Sequence, residues 1–592
     1  MTSFRVWAPD AGGLLLVLRD GTAEREIVMT PAGAGWWDAE VADTGAGCDY
    51  GFRLDGGDPR PDPRSLWQPH GVHGLSRVFD PAAFPWTDQA WRGTHLPGAV
   101  LYELHVGTFT PGGTFDSALE RLDHLVELGV DAVELLPVGG FNGDRGWGYD
   151  GVALFAAHEP YGGPAGLQRL VDGCHARGIG VVLDVVYNHL GPSGNYLPEF
   201  GPYFTATHST PWGAAVNLDA AGSGEVRRFL LDNARSWLRD FHIDGLRVDA
   251  VHALVDESAL HLLEELADAV HALAAQVAKP LFVIAESDLN DPRVVRPREA
   301  GGHGFDAQWC DDVHHAVHST VTGETQGYYV DFGPLPVLAK ALTGAFVHDG
   351  TWSTFRGRRH GRPVDRERTA GSRFVTYLQD HDQVGNRATG DRITASTPLG
   401  LVLIGATLVL TSPFVPMLFM GEEWAASTPW RYFTSHPEPA LATAVRDGRR
   451  GEFASHGWAP GDVPDPQAAE TCTDSVLDWA EPEQPEHAAV LAFYRRLIAL
   501  RRAVPELTDG RLDACSASYD EAAQWFVLRR GPGVAVVCNL GEQRQEVPVG
   551  GTPMGVLLAT EGGFGFRDGL VELAPQTAAV VRLLVPLGSD PA

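Results

Sequence analysis

The stretch PLFVIAESD, residues 280–288, reads as a buried β-strand along its apolar run and then ends on Glu286 and Asp288. A carboxylate at the end of a core strand costs little if it faces a polar cleft and much if it is buried unpaired. Seven other apolar runs share this habit: 99–106 (AVLYELHV), 130–138 (VDAVELLPV), 179–189 (IGVVLDVVYNH), 244–251 (DGLRVDAV), 305–312 (FDAQWCDD), 374–382 (FVTYLQDHD) and 414–423 (FVPMLFMGEE). Glu103, Glu134, Asp184, Asp249, Asp311 and Asp382 lie late in, or just past, these runs. Helical periodicity separates several of them, with Leu119, Leu122, Leu125 and Val126 stopping at Gly129, and residues 487–502 form an amphipathic helix after the last. Strand and helix alternating eight times over roughly 400 residues predicts an α/β fold, a (β/α)8 TIM barrel, whose parallel strands open their C-terminal ends on one face. That face would be a pocket lined with acids.

The ends of the chain read differently. Residues 1–92 are short alternating runs (FRVWAPD, LLLVLRD, YGFRLDG) broken by Gly, Pro and Asp, and predict an N-terminal β-sandwich. Residues 93–508 hold the barrel with its inserted loops. Residues 509–592, with QWFVLRR, VAVVCNL and AAVVRLLV, predict a C-terminal β-sandwich.

Lys+Arg 45 against Asp+Glu 76 leaves a net charge of −31, which repels phosphate backbones and anionic lipid surfaces. Nucleic-acid and membrane partners are therefore not expected, and a neutral or cationic ligand is. The cysteines Cys48, Cys174, Cys310, Cys472, Cys515 and Cys538 form no C-x-x-C pair, so they signal neither a zinc site nor a disulfide framework. The opening MTSFRVWAPD carries no basic n-region followed by an apolar h-region, and no apolar run approaches the ~20 residues that span a bilayer. A cytoplasmic location is expected.

Three segments carry chemistry. In DGLRVDAVHA, Arg247 and Asp249 are two apart on a strand, so the guanidinium can hold the carboxylate ionised and oriented, as a nucleophile requires; a core ion bridge is the alternative. Glu286 ends a more apolar strand, where desolvation raises a carboxyl toward the range of a general acid; a solvated strand-end acid is the alternative. In YLQDHDQVGN, Asp380, His381 and Asp382 crowd a strand end. Two carboxyls ~5 Å apart across a scissile bond are what retaining glycoside hydrolysis uses. Trp147, Tyr149, Tyr187, Trp212 and Trp309 lie in or beside the strand-end loops, where rings could stack on sugar faces, although for any single one core packing is the commoner role.

The four segments DVVYNH (184–189), GLRVDAVH (245–252), VIAES (283–287) and YLQDHD (377–382) resemble, in order, those of the α-amylase family of glycoside hydrolases. The resemblance implies Asp249 as nucleophile, Glu286 as general acid/base and Asp382 as transition-state stabiliser. It also implies that Asp184, His189, Arg247 and His381 surround the attacked sugar and that Tyr149 stacks on it. Asp380 departs from the family pattern, where Asn is more usual.

Finer similarity runs through FRVWAPDA, YELHVGTFTPGGTF, RGWGYDGV, TPWGAAVN, AESDLNDPRVV, QWCDDVHHAVH and GEEWAASTPW. It points within the family to hydrolases that cut the α-1,4 bond next to the terminal trehalose unit of maltooligosyltrehalose. A 1,4-α-glucan branching enzyme is the alternative, and a noncatalytic glucan-binding protein a remoter one. On that first reading Trp309, Asp311, Asp312, His314 and His315 lie toward the leaving group, Tyr328, Phe355 and Arg356 shape a trehalose pocket, and His252 is a further substrate-binding candidate. The N-terminal module is then glucan-binding-like. No cofactor and no metal are implied, and the metabolic partner is a maltooligosyltrehalose synthase.

Overall fold

The computed structural model describes residues 2–21, 23–42, 44–210, 213–454, 459 and 461–585. Eight parallel strands close into a barrel: β1 (Leu101–Leu104), β2 (Ala132–Leu135), β3 (Gly180–Val185), β4 (Gly245–Val248), β5 (Phe282–Ala285), β6 (Ala307–Trp309), β7 (Phe374–Tyr377) and β8 (Val415–Phe419), which pairs back onto β1. All eight are the apolar runs read from the sequence. They are short and buried along their whole length, as parallel strands covered on both faces must be.

Alternation of side chains divides the strand residues between the helix layer and the barrel interior. Leu101, Ala132, Val182, Phe282, Ile284, Ala307, Val375, Val415 and Met417 form one interior cluster with Trp309 and Tyr377. Toward the C-terminal ends the filling turns polar. Register pairs Glu103 with Glu134 and Asp184 with Arg247, so neighbouring strands bring ionisable groups side by side.

The helices that bear on the core and the cleft are α1 (Leu122–Leu128), α2 (Asp311–Thr322), α3 (His381–Gly385), α4 (Pro439–Ala454) and α5 (Pro485–Ala503). The periodic run ahead of Gly129 is two helices, not one: Phe115–Leu119, opened by a Thr114–Ser117 capping box, and then α1. Leu122, Leu125 and Leu128 bury their side chains, whereas Val126, read as part of the apolar stripe, is 45% exposed. Gly129 ends α1 in the left-handed conformation at φ +95°, which a side chain would strain. Helix α5 turns Val490, Leu491, Phe493, Tyr494, Leu497 and Ile498 into the core, as its pattern requires.

Before the barrel, a three-stranded and a larger antiparallel sheet form the N-terminal β unit; after it, a five-stranded and a three-stranded sheet form the C-terminal one. Arg530 ties the latter to the barrel by donating to the Thr411 carbonyl at 2.6 Å. The cysteines are free, and all but Cys48 are buried. No helix among the described residues is long and apolar enough to cross a membrane.

Candidate active site

The C-terminal face of the barrel carries a cleft of about 560 Å³ lined by Asp249, Glu286 and Asp382 together with Trp147, Tyr149, His189, His252 and His381. Asp249 is the first residue past β4 and Glu286 the first past β5, and Asp382 lies in the first turn of α3 just after β7. Main-chain bonds fix the two strand exits: Asp249 N–H donates to the Val185 carbonyl and Glu286 N–H to that of Val248, each at 3.0 Å.

One buried guanidinium joins the acids. Arg247 Nη1 donates to Asp249 Oδ1 and to Asp184 Oδ2, both at 2.8 Å. Arg247 Nη2 lies 3.1 Å from Glu286 Oε2, an ion-pair contact without hydrogen-bond alignment. The guanidinium stacks over Trp309, 4.3 Å from the ring centroid, which fixes its plane from below. Asp249 also accepts from the Asn188 amide at 2.7 Å.

These surroundings drive the two carboxyls apart. Burial opposes charge on Asp249, but Arg247, Asn188 and His189 outweigh it and hold its carboxyl below the usual range. Burial pushes Glu286 well above its usual range, and the charges of Asp249 and Asp382 push it further than Arg247 can offset. Ala250 N–H donates to Glu286 Oε2 at 2.7 Å, with Ala250 held in the left-handed region at φ +40°. One acid is set to be ionised and the other to be protonated, which is the division that retaining glycoside hydrolysis requires.

A second group of side chains borders the same space. Tyr149 Oη donates to Asp184 Oδ2 at 2.6 Å and meets His381 Nε2 at 2.8 Å, its ring stacked on the imidazole. Asp184 is pushed up to about 6 by burial and the Asp249 charge, against the pull of Arg247. His189 Nε2 lies 3.0 Å from the Tyr149 carbonyl. Trp147 donates its indole N–H to the Arg431 carbonyl at 2.9 Å and stacks on Trp430.

Several residues read toward the leaving-group side are placed elsewhere. Asp312 is buried and accepts from Asn290 at 2.8 Å and from the main-chain N–H groups of Val347 and His348 at 2.7 and 2.9 Å, so it ties loops together instead of lining the cleft. His314 is buried between His318 and Tyr377, its Nδ1 3.0 Å from that of His315, and packs inside the barrel wall. Asp311 turns the other way: Tyr377 donates its hydroxyl to it, and burial with Asp312, Asp382 and Asp288 raises its carboxyl to about 6.

Tyr328 stacks on His315 and sits edge-on to Phe355, 6.1 Å between centroids. Arg356 pairs with Asp288 at 3.1 Å, and Asp288 lies 3.9 Å from His252 on the cleft wall. Arg356 thus stands behind the cleft lining, Tyr328 donates to Gln383 at 3.3 Å, and Phe355 is exposed. Trp309 lies beneath the cleft. Tyr187 is a core residue donating to Asn233 at 2.7 Å, and Trp212 falls outside the described residues.

The lining includes groups that no strand-end reading singled out. Tyr432 and Thr434 come from the loop after β8, Val445, Arg449 and Glu452 from α4, and Asn386 from the end of α3. Among the described residues, no group of His, Cys, Asp and Glu side chains is arranged to hold a metal ion.

Comparison with known proteins fits this geometry. The α-amylase catalytic domain matches residues 80–203, and carbohydrate-binding module 48, the isoamylase N-terminal domain, matches residues 1–69. A malto-oligosyltrehalose trehalohydrolase of Arthrobacter ramosus is 56% identical over 583 residues, covering 98% of this chain and 99% of the relative. The chain belongs to the malto-oligosyltrehalose trehalohydrolase family. A Saccharolobus solfataricus member is 41% identical over 93% of this chain and 93% of its own. A 1,4-alpha-glucan branching enzyme of Corynebacterium jeikeium is 30% identical, but over only 52% of this chain and 48% of its own. In three dimensions the family's architecture is shared by a putative alpha amylase from Salmonella typhimurium, with TM-score 0.89, 37% identity, and coverage of 98% of this chain and 97% of that one.

Proposed function

We propose that this chain is a retaining glycoside hydrolase that cuts the α-1,4-glucosidic bond next to the terminal trehalose unit of maltooligosyltrehalose, releasing trehalose and a maltooligosaccharide. The observation that carries this reading over the branching-enzyme alternative is the full-length likeness to trehalohydrolases against the half-length likeness to a branching enzyme.

Within that reaction Glu286 gives its proton to the oxygen leaving with trehalose while Asp249 attacks the anomeric carbon, and Glu286 then deprotonates the water that frees the sugar. Support comes from the opposite shifts of the two carboxyls about one guanidinium. Asp382 faces the same space and stabilises the positive charge that develops on the ring. Asp184, His189, Arg247, His381 and Tyr149 hold the attacked glucose, and Trp147 frames it. On the leaving side, His252 and Asp311 reach toward trehalose, Arg356 acts from behind them through Asp288, and Tyr328 and Phe355 shape the trehalose pocket beside it.

Trehalose made available by hydrolysis requires a supply of maltooligosyltrehalose, so a maltooligosyltrehalose synthase is the metabolic partner. Free cysteines suit a reducing, cytoplasmic setting.

Product analysis tests the proposal. Maltotriosyltrehalose and long amylose are offered separately: free trehalose, together with maltotriose that first appears as the α-anomer, is expected from the first. New α-1,6 branches from the second, without trehalose from the first, would give the reaction to the alternative.

A further inference from the structure

Proton bookkeeping around Tyr149 exposes a role for Glu103, a β1 residue that does not line the cleft. The Tyr149 hydroxyl has one proton, and two groups contact it. Asp184 Oδ2 accepts from Arg247 Nη1 at 2.8 Å, which makes that oxygen an acceptor, and it accepts the Tyr149 proton at 2.6 Å. The 2.8 Å contact between Tyr149 Oη and His381 Nε2 must then be donated by the imidazole. On the other side of the ring, Glu103 Oε1 lies 2.5 Å from His381 Nδ1, and Glu103 Oε2 accepts the His381 main-chain N–H at 2.9 Å. A carboxylate accepts, so Nδ1 donates too. An imidazole donating from both nitrogens is an imidazolium.

We infer that Glu103 is a positioning residue that keeps His381 a fixed imidazolium, aimed with its Nε2–H at the cleft beside Asp382, through a two-point grip on the ring and the main chain. Both residues are buried, with His381 and Glu103 side chains 1% and 2% exposed, so the pair is shielded from solvent.

The other groups around His381 favour the same state. Asp382 and Asp380 lie on its own segment, with Asp382 Oδ2 3.6 Å from Nε2. Asp184 from β3 adds negative charge and Arg247 from β4, bound to that same Asp184, opposes it, whereas Glu134 from β2 is pushed well above the usual carboxyl range by burial and the Glu103 charge. His105 is held neutral by burial, down to about 3. Burial alone would discharge His381, but Glu103 and Asp382 lead the groups that overcome it and raise the ring to about 10. Glu103 is the one of these that touches the ring from below, away from substrate.

The kinetic arm of the test rests on the trehalohydrolase reading; the spectroscopic arm does not. With 15N-histidine-labelled protein, the His381 signals, assigned by their loss in His381→Gln, are expected to show both ring nitrogens protonated from pH 5.5 to 8.5. A neutral His381 at pH 7.5 in the unaltered protein would overturn the inference, whatever the substrate proves to be and even if Glu103 variants do not fold. In kinetics on maltotriosyltrehalose, Glu103→Gln lets the ring fall toward its ordinary value of about 6.5, so its activity relative to the parent should drop a further tenfold, about, between pH 5.5 and 7.5. Glu103→Asp keeps the charge, and its profile should run parallel to the parent's at a lower level. A Glu103→Gln profile parallel to the parent's would reduce Glu103 to a structural residue.

Discussion

Arg247 Nη1 lies 2.8 Å from Asp249 Oδ1, and the two residues are only two apart on one strand end. Strand geometry makes this contact: side chains at i and i+2 point the same way, and β3 supplies Asp184 as the register partner of Arg247 to balance the charge. The same guanidinium reaches Glu286 across the β4–β5 exit. Removing it is therefore expected to do more than weaken one ion pair. In Arg247→Met, Asp249 loses the charge that holds it ionised, so the acid limb of the kcat/KM profile should move to higher pH, with a rate loss of about 100-fold or more. An acid limb in the same place would show that Arg247 does not set the state of Asp249.

The pH profile of the unaltered enzyme follows from two opposite shifts. On the proposed mechanism Asp249 must be ionised to attack, so activity is lost as pH falls through its value, which lies below the usual carboxylate range. On the same mechanism Glu286 must be protonated to donate, so activity is lost as pH rises through its value, which burial has pushed well above the usual one. A bell broadened on both sides is expected. Glu286→Gln should remove the alkaline limb while cutting the rate by about three orders of magnitude or more with an unactivated leaving group. An alkaline limb that persists in this variant would mean that another group supplies the proton.

How much of this was legible in the sequence differs from residue to residue. The barrel strands announce themselves as apolar runs closed by acids, and Asp249, Glu286 and Asp382 sit where such runs stop. Asp311 and Asp312 could not be told apart by that signal. They occupy adjacent positions in the first turn of α2, about 100° apart around the helix, so one turns toward Tyr377 and the cleft side and the other into the loops around Val347. Likewise His314 and His315 were read as polar groups near the ligand, yet aromatic neighbours bury both. Arg449 and Tyr432 left no trace because they come from segments after β8, with no strand end to mark them. Asn188 lies inside a recognised segment, but only contact with Asp249 reveals what it does.

Asp312 gives a prediction of the opposite kind from the catalytic acids. Its carboxylate is the shared acceptor for Asn290, Val347 and His348, so Asp312→Ala strands three buried donors. Stability should fall by about 2–4 kcal/mol, read as a lower denaturant midpoint. Below the unfolding range, kcat on maltotriosyltrehalose should stay within about threefold of the parent. A large drop in kcat with stability unchanged would return Asp312 to the substrate side.

Arg449 closes the cleft from α4. Its guanidinium donates to the Gly385 carbonyl at 2.6 Å, at the end of the helix that carries Asp382, and lies 5.3 Å from the centroid of the Tyr432 ring. Burial lowers its pKa from the ordinary arginine value, and the carboxylates of Glu452 and Asp382 act against that. A cation there does no chemistry on the bond. It ties α4 to the end of α3 and keeps Tyr432 in place for a sugar, so its loss should be felt in binding more than in the chemical step. Arg449→Ala is expected to raise KM for maltotriosyltrehalose by about tenfold, with kcat within about threefold of the parent and both limbs of the pH profile unmoved. Arg449→Lys retains the charge but not the planar fork, and should recover only part of the KM. A fall in kcat with KM unchanged would place Arg449 on the transition state instead of the wall.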